Sequence, residues 1–183
     1  MPLDTNDDVN TLKLKLADVD KCQLIDAMTE LALSWPAVCD VTEWLVSTPS
    51  ENMARFASRL EQMEERDYKY PRHTCIDENI LIELRALLRE VCSGATSAKE
   101  EMEGLLLICK TDRFTFEQYL QEQWSLEFFY TNELAPYLIS CASRIKDIQW
   151  LIPVLQEMLT EDSYGIREHV LSPVLQGIQK HTE

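Results

Sequence analysis

Glycine is scarce in this chain, at four residues in 183. A turn-rich β-sandwich needs many more, and so does a backbone loop that wraps a phosphate. No Gly-x-x-x-x-Gly-Lys-Ser, Gly-x-Gly-x-x-Gly or Gly-x-Ser-x-Gly occurs, which removes the common nucleotide cradles and the hydrolase elbow. Basic residues are also few, 17 against 32 acidic, for a formal charge of −15. Phosphate affinity requires a basic footprint, so direct binding to DNA, RNA or anionic lipid is not expected. No apolar run approaches the roughly 20 residues of a membrane span. Met1 to Asn10 carries Asp4, Asp7 and Asp8 and lacks the basic flank and apolar core of a secretory signal, which points to a soluble, cytoplasmic protein.

The six cysteines, at 22, 39, 75, 92, 109 and 141, never form Cys-x-x-Cys and so lack zinc-finger spacing. They read as reduced core residues. Three of their intervals equal 17 residues, close to the length of one helix and its connection in a stack of helical hairpins.

What is present is helical punctuation. Leu134-Ala-Pro136-Tyr-Leu138, Leu151-Ile-Pro153-Val-Leu155 and Leu171-Ser-Pro173-Val-Leu175 each place proline where a first helical turn loses no hydrogen bond. Asp20 caps an expected helix to about Ser34, with Leu24, Ile25, Met28, Leu31 and Ala32 along one face, and Ser34-Trp35-Pro36 starts a second helix returning along it. Thr48-Pro-Ser-Glu51 and Ser97-Ala-Lys-Glu100 have the form of capping boxes. Behind them run the stripes Met53, Phe56, Ala57, Leu60, Met63 and Met102, Leu105, Leu106, Cys109, with Ile80, Leu84, Leu87, Leu88, Val91 between. Asp67 to Thr74 reads as a loop, and the last segment, Ile166 to His181, as broken at Ser172-Pro173.

Phe116, Tyr119, Leu120, Trp124 and Phe128 form an aromatic series at helical spacing, which directs Trp124 inward and leaves Phe129 and Tyr130 as an exposed patch. The expected fold is all-α, about nine short to medium helices in antiparallel hairpins, a short solenoid of HEAT or TPR type. A single domain over 1–183 is expected, with candidate internal boundaries near 67–75 and 111–115.

Catalytic signals are weak. Glu127, Glu157, Glu161 and Asp162 precede His169 on successive helices, and the stretch 116–178 resembles the first half of heme-oxygenase-like di-iron oxidases, which implies Glu127, Glu161 and His169 as metal ligands. His73 beside Cys75 is a candidate nucleophile pair.

Leu31-Ala-Leu-Ser-Trp-Pro36-Ala-Val38, the 76–91 helix, and Trp150-Leu-Ile-Pro-Val-Leu155 with Asp162-Ser-Tyr-Gly165 carry a second likeness. In these the chain is similar to an uncharacterised bacterial family of α-helical repeat domains associated with SWIM-type zinc-finger proteins. Where that family often has an Asp-Asp-Ser-Asp-Gly-like turn, this chain has Thr111-Asp-Arg-Phe. The resemblance implies a helical solenoid and no established activity.

The function expected from these features is non-enzymatic and without a cofactor: an acidic adapter or inhibitor that binds a basic protein partner. The contact residues are expected to be Glu117, Glu122, Phe129 and Tyr130. The alternatives are a metal-dependent oxidase fragment and an acidic inhibitor that imitates nucleic acid.

Overall fold

The computed structural model describes residues 6–69, 80–118 and 123–180, and among them every regular element is helical, with no strand. The all-α expectation holds. The chain falls into two compact units, residues 1–47 and 48–183. Of the two boundaries considered from sequence, 67–75 lies partly outside the described residues, and both fall within the second unit.

The first unit holds α1 (Asn6–Ala17), α2 (Lys21–Ser34) and α3 (Pro36–Val46). Asp20 caps α2 as its side chain predicts, accepting from the Cys22 N–H at 2.8 Å. Trp35 then takes an extended backbone and Pro36 opens α3, so α2 and α3 form a packed hairpin. Half-buried Leu24, Met28 and Ala32 recur every four residues on the inner side of α2. Cys22, expected in a core, is exposed instead, because it sits in the first turn of α2, off that inner face.

The second unit runs through α4 (Pro49–Lys69), α5 (Ile80–Gly94), α6 (Ala98–Lys110), α7 (Asp112–Gln118), α8 (Gln123–Phe128), a π-helical turn (Phe129–Leu134), α9 (Ala135–Ala142), α10 (Leu151–Thr160) and α11 (Ile166–Lys180). The expected loop after Asp67 is helical as far as Lys69, and the rest of it lies outside the described residues. Both capping boxes form. The Glu51 carboxylate accepts from the Thr48 N–H at 2.7 Å while Thr48 Oγ1 accepts from the Glu51 N–H at 3.3 Å. At α6 the reciprocal half shifts by one residue: Ser97 Oγ caps the Glu100 N–H at 3.2 Å, but the Glu100 carboxylate reaches the Thr96 N–H at 2.8 Å.

Every residue of the α5 stripe is buried, and so is every residue of the α6 stripe. On α4, Phe56, Leu60 and Met63 are buried and Ala57 is not. Gly104 lets α6 settle on α5, since a Cβ there would collide with Val91 Cγ2. The packing order is α4 on α5, α5 on α6, α6 on α9, α9 on α11 and α11 on α10, so the second half of the unit closes against α6 through α9. Ion pairs cross these junctions. Arg59 meets Glu90 between α4 and α5 at 3.0 Å, and Arg144 meets Glu101 between α6 and the end of α9 at 2.8 Å.

The three prolines act differently. Pro153 is the third residue of α10, where its missing N–H has no partner to lose. Pro173 lies inside α11, which is continuous and not broken at Ser172-Pro173. The bond it forgoes would have gone to the carbonyl of His169, on an exposed turn that solvent can serve. Pro136 has the largest effect. In an unbroken α-helix its ring would press on the carbonyl of Asn132, and the chain widens just ahead of it so that the Ala135 N–H bonds the Tyr130 carbonyl, five residues back.

Candidate functional site

The π-helical turn brings two large rings to the centre of the second unit. Phe129 and Tyr130 are fully buried and meet edge to face at 5.3 Å. The Tyr130 hydroxyl lies 2.8 Å from Thr111 Oγ1 and 3.0 Å from Thr115 Oγ1. Thr111 directs its own hydrogen to the Ile108 carbonyl at 2.7 Å, so Tyr130 donates to Thr111, while Thr115 Oγ1 is shared between the Tyr130 hydroxyl and the Asp112 carbonyl, to which it donates at 3.3 Å. Burial pushes the Tyr130 phenol far above its usual range, which keeps it neutral and able to donate.

Beside this cluster lies a buried ion pair. Arg167 of α11 holds Asp112 of α7 by two bonds, Nε to Oδ2 at 2.8 Å and Nη2 to Oδ1 at 2.7 Å, and both side chains are almost wholly enclosed. Burial pushes the Asp112 carboxyl up and the guanidinium pulls it back. Against a permanently charged arginine in two-point contact, the carboxylate is ionised at neutral pH. Asp162 caps α11, accepting from the N–H groups of Gly165 and Glu168, each at 2.9 Å. These polar groups are committed to joining helices.

The outward side of the same segment is aromatic. Trp124 is 81% exposed and Phe128 50% exposed. Four residues apart on α8, they share a face, and exposed Glu127 stands beside them. The sequence expectation for these rings is therefore corrected: Trp124 points out, whereas Phe129 and Tyr130 are enclosed and unavailable to a partner. The reason is geometric. Phe116 stands on α7 and Trp124 and Phe128 on α8, two separate helices, so spacing by four does not place the three rings on one face. Phe116 is buried, and Leu126, Phe129, Tyr130 and Leu134 carry the core from there. Glu117 is half-buried on α7, and Glu122 lies outside the described residues.

The metal reading brings nothing together. Glu127 on α8 and His169 on α11 are exposed, and Glu161, at the end of α10, lies 3.7 Å from the Arg167 guanidinium. Among the described residues no three His, Cys, Asp or Glu side chains are grouped so as to hold a metal ion. His73 and Cys75 lie outside the described residues. Of the thiols within them, burial pushes Cys92 and Cys109 up to about 12 and Cys141 to about 11, which leaves them protonated. A cleft of about 210 Å³ between the start of α6 and the α9–α10 connection contains Lys99, Arg144 and Lys146 beside Trp150. Arg144 is answered by Glu101 at 2.8 Å and Lys99 by Glu103 at 3.8 Å, so the cleft is not a concentrated cationic site.

No burial pattern in the sequence announces the Asp112–Arg167 pair, whose members stand 55 positions apart. The exposed Trp124–Phe128 pair could have been found from the i, i+4 spacing alone, had Leu126 been taken to mark the inner face. No protein-family model, curated protein or solved structure matches the chain.

Proposed function

We propose that this chain is a non-enzymatic interaction module, which binds a protein partner through the Trp124–Phe128 ridge of α8. The observation that carries this reading is the exposure of Trp124, 81%, on a segment whose opposite face is fully buried. A tryptophan held in water by a rigid support is the residue type that most often anchors a protein interface. Its ring offers a large contact area, and the buried Phe129 and Tyr130 behind it keep the ordering cost of binding low. Glu127 beside the ridge and the overall charge of −15 favour a partner whose surface is basic.

The test compares wild-type protein with Trp124→Ala and Glu127→Lys in capture from the native cell, followed by titration of the captured partner. Trp124→Ala is expected to lower affinity by more than about 2 kcal/mol, roughly 30-fold, as loss of an interface tryptophan does. Glu127→Lys is expected to slow association and flatten its salt dependence. Capture that is indifferent to Trp124→Ala removes this ridge as the binding surface.

A further inference from the structure

Residues 11–16, Thr-Leu-Lys-Leu-Lys-Leu, alternate polar and apolar side chains in steps of two, the period of a strand, yet they lie in the helix α1. The helix makes no use of that pattern. Leu12 and Leu16 stand about 40° apart around its axis, while Leu14 lies about 160° from both, so no one side is apolar. All three are exposed, Leu14 at 72%, and so is every other side chain from Thr11 to Ala17. Burial therefore does little to hold α1, and a helix of 12 residues without packing is marginal in water. In an extended chain the same three leucines fall on one face, with Lys13 and Lys15 on the other.

A strand needs a sheet to join, and among the described residues there is none. A second copy is a poor mate. Two such segments with their leucines on one face must set lysine opposite lysine on the other, where like charges repel, and a two-stranded ribbon alone is marginal. Asp7, Asp8, Asp18 and Asp20 flank the two lysines, so an anionic membrane would repel the segment. We infer that residues 11–16 leave the helix to join, as an added strand, the open edge of a β-sheet in a partner protein. The apolar face of that sheet takes Leu12, Leu14 and Leu16, and its other face presents Asp or Glu to Lys13 and Lys15. Six extended residues span about 20 Å, an ordinary strand length. Main-chain hydrogen bonds supply the affinity, and the alternating side chains choose the partner. The acidic edge required here differs from the basic surface that the Trp124 ridge favours, so its test does not depend on that ridge.

The probe is a small designed β-sheet domain with one open edge strand, valines on its apolar face and glutamates on the other, and the control is the same domain with a proline in that strand. Each is titrated into the isotope-labelled full chain, up to about 1 mM. With the open edge, the Cα chemical shifts of residues 11–16 are expected to cross from the helical to the extended side of their random-coil values. Alternate amides are expected to exchange at least tenfold more slowly, since an added strand turns every second N–H toward its partner. The proline control should change neither. Exchanging two exposed neighbours, Leu14→Lys together with Lys15→Leu, keeps composition and charge but puts leucine at 12, 15 and 16, along one side of a helix. Strand addition predicts that this variant loses at least tenfold in affinity. Equal or tighter binding overturns the inference, because a helix is then what the probe recognises, and so does the absence of any shift at the highest probe concentration. Extended shifts that appear with rising protein concentration alone, which would mark a second copy, or with phosphatidylglycerol vesicles, which would mark a membrane, overturn it as well.

Discussion

Phe129→Ala and Trp124→Ala, only five positions apart, are expected to differ sharply in stability. Phe129 is fully buried with its ring edge-on to Tyr130. Its truncation removes a large aromatic from a packed interior and costs about 3–5 kcal/mol, with about 0.5–1.5 kcal/mol attributable to the ring pair. Trp124 is 81% exposed, so its truncation falls within about 0.5 kcal/mol of neutral. At about 2–4 °C per kcal/mol for a chain of this size, Phe129→Ala should lower Tm by roughly 6–20 °C, and Trp124→Ala by about 2 °C at most. Thermal melts followed by far-ultraviolet circular dichroism, run side by side with urea titrations, measure both. If Trp124→Ala proves the less stable protein, the rotation of α8 described above is wrong, and the proposed ridge is part of the core.

Two further predictions concern charge. Arg167→Met leaves the Asp112 carboxylate enclosed without its partner and should cost about 3–5 kcal/mol, most of it recovered in the double variant with Asp112→Leu, since exchanging both members for apolar residues is often nearly neutral; additive losses in urea denaturation would mean that the pair does not act as a unit. Glu51 and Glu100 have pKa values lowered chiefly by accepting the Thr48 and Thr96 N–H groups. A depressed folded-state value gives stability that is present above the unfolded value, near 4.5, and is lost as pH falls through the folded one. Protection of the amides in the first turns of α4 and α6, measured against the intrinsic exchange rate that itself falls in acid, should therefore weaken below about pH 4.5, and Glu51→Gln should abolish this change at α4 only.

Much of the fold was legible because its strongest signals are local. The stripes of α5 and α6 alternate steps of three and four residues and stay on one face, so all nine residues read as buried are buried. The caps at Asp20, Thr48 and Ser97 depend on neighbours two or three positions away and form where the sequence puts them. The aromatic segment was not legible, because its rings are divided between α7 and α8 and not carried by one helix, and because Pro136 widens the helix ahead of itself. The continuity of α11 through Pro173 depends on the exposure of one turn, a tertiary property. The first unit shows a different limit. Its apolar spacing identifies the α2–α3 hairpin correctly, but spacing alone cannot say whether an apolar side chain will find a cover.

The Asp112–Arg167 pair also sets a schedule for the chain as it is made. At about 5–20 residues per second, the 55 positions between them take roughly 3–11 seconds to synthesise. During that interval α4, α5 and α6 can already stack on one another, while the carboxylate that will sit at the centre of the unit remains hydrated. Arrival of α11 withdraws that carboxylate from water and seats Val170, Leu171 and Val174 in the same step. Of the described helices α11 emerges latest and acts as a latch, and until it closes this part of the nascent chain is a partly open stack with a charge where its core will be.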